Sequence, residues 1–555
     1  MPTRLIDIGA GDGKVKLCNS LDLPAQSAPY ICLSYCWGTE QPLKLLKDVT
    51  SDFYSEIPWN DLPLTFRDVI AVARKFGISY LWIDSLCIIQ DDPEDFRHEA
   101  SEMASVYGQA WLVITASKSK SLSAGLFSEP KPPVCSVSFP PAATDESENI
   151  LFARTVPVHL PSHSGLNHKE GPSFPTLERA WIFQERMLAI RVLHFGPDEL
   201  SWECLQETVC ECAPDQEREP VETMDYKSQV GNYYLSYDLS WRPKLYHNIS
   251  YWQQVDEKDL CRFWFNLVEK YSQLKLTYPV DSLLAFSGIA TEFSKAAKCR
   301  YVAGLWEKTL IQDMCWETPR DRDEEDIEVP APHQLWTKAQ FYGRFRSDVP
   351  SWSWASTSHR VEYHSGVDDL QSFCPEVDIG CCADFNPTGK LDGASITVLG
   401  HVFTSTVWIH YNEKMHEKKR PRFHVLGDLE HNTVFDGGLQ HDIQGMIEDN
   451  TTFTCLILGS YQKSATEEER DEYIALVLVD ADEDESEAEK PKYRRVGLAT
   501  FINKLHDWEG YDSFRPSEDK RAERDNAWRR GRRIKSESIW STGFMGVEIR
   551  SVTII

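Results

Sequence analysis

Between Tyr30 and Ala116 the chain alternates short apolar strands with amphipathic helices, and this alternation constrains the fold more than any other feature. Tyr30–Cys36 (Tyr-Ile-Cys-Leu-Ser-Tyr-Cys) is a β-prone run of the kind a parallel strand buried on both faces requires. A helix follows Pro63. Phe66, Val69, Ile70 and Ala73 recur at helical spacing, Thr65 and Asp68 are placed for a variant capping box, and Gly77 ends it. Ser79–Ile89 reads as a second buried strand running into a loop. Asp92 can cap and Pro93 can open a second helix, with Phe96, Ala100, Met103 and Tyr107 on its inner face. Trp111–Ala116 makes a third strand. Strand–helix–strand–helix–strand implies an α/β domain: a parallel sheet with helices on both faces.

At 555 residues the chain exceeds one hydrophobic core. A Pro- and Ser-rich stretch, about 128–175, reads as an insertion, and helical spacing resumes over Arg179–Ile190. Three regions are expected: an α/β domain at 1–215, a helical middle at 216–330, and a β-rich part at 331–555 with acidic loops. Trp252–Met314 looks helical and aromatic, and the acidic run Asp321–Glu328 reads as a solvated linker. Ser395–Leu399, Phe453–Leu458 and Tyr473–Val479 alternate like antiparallel strands, and Asp480–Glu489 reads as an exposed acidic loop. Lys and Arg number 58 against 86 Asp and Glu, a net charge of −28 that repels nucleic acid and anionic lipid. One basic cluster, Arg529–Lys535, reads as solvated surface. No apolar run reaches the ~18–20 residues of a membrane helix. Scattered cysteines, 15 in all, and an N-terminus without an apolar signal core suggest reduced thiols in the cytoplasm.

Ligands of parallel α/β sheets bind outside the carboxyl ends of the strands. Those ends place Tyr35, Cys36, Trp37 and Gly38 on one loop. Asp84, Ser85 and Cys87 lie on the next, with Gln90 and Asp91 further along, and Thr115 and Ser117 close the third. Tyr35, Cys36, Trp37, Asp84, Ser85 and Cys87 are thus candidate substrate-binding residues. In Arg179–Arg186, Trp181 and Glu185 are four apart and share a helix face. A carboxylate beside an indole wall can be raised in pKa by desolvation and can hold a sugar hydroxyl. Glu185 is the candidate catalytic acid and Trp181 a candidate binding residue.

Two further motifs carry competing readings. Leu5–Gly13 (Leu-Ile-Asp-Ile-Gly-Ala-Gly-Asp-Gly) resembles the glycine loop of S-adenosylmethionine-dependent methyltransferases, but Lys14–Cys18 after it alternates like a strand, and a hairpin explains the glycines equally well. Cys204, Cys210 and Cys212 lack the second pair a zinc site usually shows, so no metal is assigned. His98 and His194 have no sequence-level partner.

The blocks Leu33–Gly38 (Leu-Ser-Tyr-Cys-Trp-Gly), Leu62–Asp68, Gly77–Gln90, Glu99–Tyr107, Gly125–Phe127 and Arg179–Arg186 (Arg-Ala-Trp-Ile-Phe-Gln-Glu-Arg) together resemble the heterokaryon-incompatibility (HET) domain family of filamentous fungi over about residues 1–215. Asp281–Ala290, Ala303–Trp306 and Pro350–Ser356 look like the region often attached downstream. The resemblance implies a role in fungal non-self recognition and programmed cell death, and a remote kinship to TIR domains with a TIR- or flavodoxin-like fold. TIR enzymes cleave the nicotinamide–ribose bond of NAD with a glutamate in Trp-x-x-x-Glu, and Trp181 and Glu185 fit that spacing. The expected activity is NAD hydrolysis, with NAD as substrate rather than cofactor. Two other readings stay open: a non-catalytic signalling module that self-associates or binds a protein partner, and a small-molecule biosynthetic enzyme with Cys36 or Cys87 as nucleophile.

Overall fold

A computed structural model describes residues 1–9, 13–23, 28–38, 43–128, 135–139, 149–153, 174–204, 208–211, 256–318, 348–364, 366–380, 394–410, 422–427, 436–441, 452–463, 470–481, 491–502 and 548–555. Contacts divide it into two units, one drawn from Met1–Val255 and Leu274–Ala297, the other from Asp256–Gln273 and Lys298–Ile555. Most of the stretch 128–175, the runs 321–328 and 529–535, residues 482–489 and Cys212 lie outside the described residues.

The first unit contains β1 (Arg4–Asp7), β2 (Lys16–Asn19), β3 (Tyr30–Ser34), α1 (Thr50–Ser55), α2 (Leu64–Lys75), β4 (Tyr80–Trp82), α3 (Asp84–Cys87), α4 (Pro93–Gln109) and β5 (Leu112–Thr115). It continues with β6 (Cys135–Phe139), β7 (Asn149–Ala153), α5 (Ala180–Leu188), β8 (Arg191–Phe195), β9 (Leu200–Cys204) and β10 (Thr208–Cys210). Eight strands form one sheet in the order β10-β9-β8-β5-β3-β4-β1-β2. Its centre, β8-β5-β3-β4, is parallel, and every residue of β3 and β5 is buried, as a sheet covered on both faces demands. Both flanks are antiparallel, so the sheet is mixed at its margins.

β1 and β2 form a hairpin with Asp7 opposite Lys16. Arg74 holds its loop from below, donating to the Ile8 and Gly13 carbonyls at 2.7 and 3.0 Å. A strand, not a helix, follows the glycines, so the helix N-terminus that cofactor binding needs is absent there; residues 10–12 lie outside the described residues.

α4 starts as its sequence announces: the Asp92 side chain accepts from the Glu94 and Asp95 amides, with proline next in line. α2 departs from expectation. It has no side-chain cap. Thr65 Oγ1 instead donates to the Leu122 carbonyl at 2.8 Å, and Asp68 Oδ2 accepts from the Leu126 amide at 2.8 Å. Both groups dock the 122–126 loop onto the helix. Gly125 makes this docking feasible, with φ 68 and ψ −177 and only 2.6 Å from its would-be Cβ to Asp68 Oδ2. Gly125→Ala is expected to cost about 1–3 kcal/mol, measured as a lower denaturation midpoint.

Leu274–Ala297 completes the first unit. Lys275 bridges to Arg179 in parallel, its carbonyl accepting from the Ala180 amide at 3.1 Å, and its ammonium meets Glu178 at 2.7 Å. Gly288 donates its amide to Gln184 Oε1 at 3.2 Å, and Phe286 stacks on Phe183 at 6.3 Å. α5 is thus gripped by a segment about a hundred residues downstream.

The second unit is built on a nine-stranded sheet. Its long strands Ile396–His410, Thr452–Lys463, Arg470–Asp480 and Lys492–Ile502 pair antiparallel, where the alternating stretches place them. The helix Glu257–Tyr271 belongs to this unit. The Ala303–Trp306 and Pro350–Ser356 blocks meet: Trp354 Nε1 donates to the Gly304 carbonyl at 2.8 Å, and Gly304 has φ 101. Among the described residues no helix is long and apolar enough to cross a membrane.

Candidate functional site

Three chain segments converge at the carboxyl edge of the parallel strands. Ser34 ends β3 and is followed by Tyr35, Cys36 and Trp37; Asp84 and Ser85 open α3 directly after β4; Arg179 is the N-cap of α5 and Glu185 lies in its second turn. Glu185 faces inward at 7% exposure, because its neighbours on that helix face, Ile182 and Leu188, are core residues. Ser34, Tyr35 and Ser85 are buried with it.

Asp84 is held in a fixed orientation. Trp37 Nε1 donates to Oδ2 at 2.7 Å and the Ser85 amide to Oδ1 at 2.7 Å. Gln90 secures the same turn from behind, donating to the Asp84 and Ile88 carbonyls at 3.1 and 3.0 Å. The Tyr35 ring meets Phe66 edge-on at 5.4 Å.

Four polar atoms at this edge complete no hydrogen bond: Ser34 Oγ, Tyr35 Oη, Ser85 Oγ and Glu185 Oε2. Tyr35 lies beside Asp84 and Ser85, while Ser34 and Tyr107 lie beside Glu185. Buried polar groups are normally satisfied, and a cluster of exceptions in one place makes this edge the candidate site.

The electrostatics agree with enclosure. Withdrawal from water raises the Glu185 carboxyl to about 7; the Ser34 hydroxyl, Tyr107 and Arg179 pull it back, and Asp84 pushes it further up. Asp84 is also raised, first by desolvation, against the pull of Tyr35, Trp37 and the Ser85 amide. Burial likewise raises the Tyr35 hydroxyl and the Cys36 thiol, the latter despite Arg179 nearby.

Not every sequence candidate joins this group. Cys87 is fully buried, its thiol raised by desolvation, and the charged groups acting on it are Arg4 and Glu99. Among the described residues no histidine is among the groups acting on Cys36 or Cys87. Trp181 is half-buried, one turn before Glu185. Asp91 accepts from the Lys47 amide at 2.9 Å. Gly38, with φ 77, turns the loop after Trp37.

Ser34, Tyr107 and Arg179 belong to the site without having been singled out as candidates. Ser34 hides inside a strand pattern and Tyr107 inside a helical core stripe. The available signal is position: Ser34 ends the strand whose loop carries Tyr35, and Arg179 precedes the helix of Glu185.

A second polar cluster lies on the neighbouring strands. Ser117 Oγ is 3.1 Å from His194 Nδ1, His194 Nε2 is 3.2 Å from Glu203 Oε2, and Arg186 Nε donates to the same oxygen at 2.8 Å. Ser117, His194 and Glu203 are all buried, so this chain ties α5 to β8, β9 and the end of β5 without offering a reachable nucleophile. His98 is exposed on α4. Among the described residues no group of three or more His, Cys, Asp or Glu side chains is arranged to hold a metal ion.

A parallel-centred sheet with orphaned polar groups at its carboxyl edge defines an α/β domain with a candidate ligand site at that edge. Residues 30–185 match the family model described as Heterokaryon incompatibility protein (HET). The match runs from the first residue of β3 to Glu185 itself. No curated protein and no solved structure matches the chain.

Proposed function

We propose that the first unit cleaves the nicotinamide–ribose bond of NAD, as the catalytic part of a HET-domain protein acting in fungal non-self recognition and cell death. The observation that carries this reading is the buried Glu185 carboxyl beside Ser34 and Asp84, with Tyr35 and Ser85 next to Asp84 and four polar atoms lacking partners.

In the reaction the C1′–N bond breaks with its electron pair going to nitrogen, so the cationic pyridinium leaves as neutral nicotinamide. Positive charge develops on the ribosyl carbon and ring oxygen. The Glu185 carboxylate stabilises it in a site of low dielectric, where a fixed charge acts more strongly than in water. Water then adds to C1′, its proton passing to Glu185 and on to solvent, and ADP-ribose results. Ser34 and Ser85 hydroxyls supply partners for the ribose hydroxyls. Asp84, already oriented by Trp37, stabilises the cationic end of the substrate, and Tyr35 or Trp37 offers a ring for nicotinamide to stack on.

The test is incubation of the purified full chain with NAD, following nicotinamide and ADP-ribose together. Equal release of both is expected. No release above a protein-free control, across neutral and mildly alkaline pH, would overturn the reading and leave non-catalytic signalling in its place.

A further inference from the structure

The residue in this site with no task so far is Arg179. The acid next to it, Glu178, is engaged by Lys275 at 2.7 Å. Arg179 makes no ion pair among the described residues, yet its guanidinium is close enough to Cys36, Asp84 and Glu185 to act on the proton affinity of all three. It stands at the N-cap of α5, a nine-residue helix whose start carries no side-chain cap. A helix start carries partial positive charge and favours an anion. The second, independent sign of a ligand is the set of buried hydroxyls and the Glu185 oxygen left without partners at the same sheet edge.

The site therefore has two poles. Glu185 and Asp84 form the acidic one, and Arg179 with the α5 N-terminus forms the basic one. Six helical steps lead from Arg179 to Glu185, a backbone rise of about 9 Å. That is comparable to the reach from a ribosyl anomeric carbon to a diphosphate on its 5′ carbon. Asp84 does not cancel the basic pole, because its carboxylate is already bound by the Trp37 and Ser85 N–H groups.

We infer that Arg179 and the N-terminus of α5 bind the 5′-phosphate or diphosphate of a ribosyl substrate whose anomeric carbon lies against Glu185, so that the enzyme selects phosphorylated pyridinium ribosides over the free riboside. This rests on the glycosidic reading of the site and adds to it the substrate's anionic half. Arginine suits the task because its planar fork can make paired hydrogen bonds to phosphate oxygens, each strengthened by charge.

The experiment compares NAD, nicotinamide mononucleotide and nicotinamide riboside on the full chain, wild type, Arg179→Gln and Arg179→Lys. In parallel, calorimetric titration measures binding of ADP-ribose and of adenosine, and a thermal melt checks that each variant folds. NAD and the mononucleotide are expected to be cleaved with kcat/KM at least roughly tenfold above the riboside. Arg179→Gln should raise KM for NAD roughly ten- to hundredfold, at least about tenfold more than it raises KM for the riboside, with Arg179→Lys in between. ADP-ribose should bind wild type and weaken by the same factor in Arg179→Gln, while adenosine binds poorly to both. Riboside cleavage as efficient as NAD cleavage, or unchanged ADP-ribose affinity in folded Arg179→Gln, overturns the inference and leaves the glycosidic reading standing. If no substrate is cleaved, that reading fails, and the titration alone decides: Arg179-dependent ADP-ribose binding upholds the anionic pole, and absent binding removes it.

Discussion

Glu185→Gln is expected to reduce nicotinamide release from NAD by at least about 10²-fold and, at about pH 8, to make the protein more stable. Both effects come from one carboxylate forced into an enclosed site. Its folded value, about 7, lies above the ordinary 4.5, so the folded state holds this proton more tightly than the unfolded state. Below about pH 4 both states are protonated and the group costs nothing. As pH rises towards about 7, the unfolded state gives up the proton first, and stability falls by about 3 kcal/mol before levelling off. Glutamine stays neutral throughout, so the variant should gain that amount at about pH 8 and none in acid. Denaturant melts of both proteins at the two pH values, beside nicotinamide assays, measure it. Wild-type activity should rise with pH through about 7, since the anion is the working form. A variant equally active, or a stability difference independent of pH, would remove Glu185 from the role assigned to it.

Glu203→Ala should cost about 3–5 kcal/mol, because Glu203 is buried and its Oε2 serves both Arg186 and His194. Glu203→Gln, which keeps an acceptor of the same shape, should lose less. The two denaturation midpoints, with unchanged m values, decide this. Because Arg186 adjoins Glu185 on α5, the alanine variant should also lower kcat for NAD more than it raises KM. A loss of under about 1 kcal/mol would mean that the chain Arg186–Glu203–His194–Ser117 does not hold the helix.

The parts of the fold that depend on neighbours in sequence were legible, and those that depend on distant partners were not. Uninterrupted apolar runs announced β3 and β5, and Asp92-Pro93 announced the start of α4, because burial on both faces and amide capping are local demands. Thr65 and Asp68 looked like caps for the same local reason, but the 122–126 loop reaches them first. The apolar run through Ile89 concealed a helical turn at Asp84–Cys87, since burial erases the period that separates strand from helix. The antiparallel flanks left no sign of direction in their sequences.

The candidate site divides along the same line. Tyr35, Trp37, Asp84 and Ser85 follow from where strands end, and Glu185 from its spacing to Trp181. Cys87 shares that strand end but turns to Arg4 and Glu99, as alternate positions in a helical turn must. Arg179 could not be read this way, because its availability depends on Lys275 taking Glu178 across 97 residues. His194 has its partners at separations of 77 and 9 residues, which no local pattern reveals.

Because Leu274–Ala297 grips α5 only after the chain has visited the other unit, the first unit cannot be released by a single cut. A fragment ending at residue 215 would retain every position of the family match, yet surrender the Lys275 bridge, the Gly288 amide on Gln184 and the Phe286 stack. The helix bearing Glu185 would then be clasped from one side alone. Excision at residue 215 would thus yield a fragment that keeps the candidate site's residues and loses the contacts that aim Glu185, which makes the downstream chain a built-in scaffold for the upstream site.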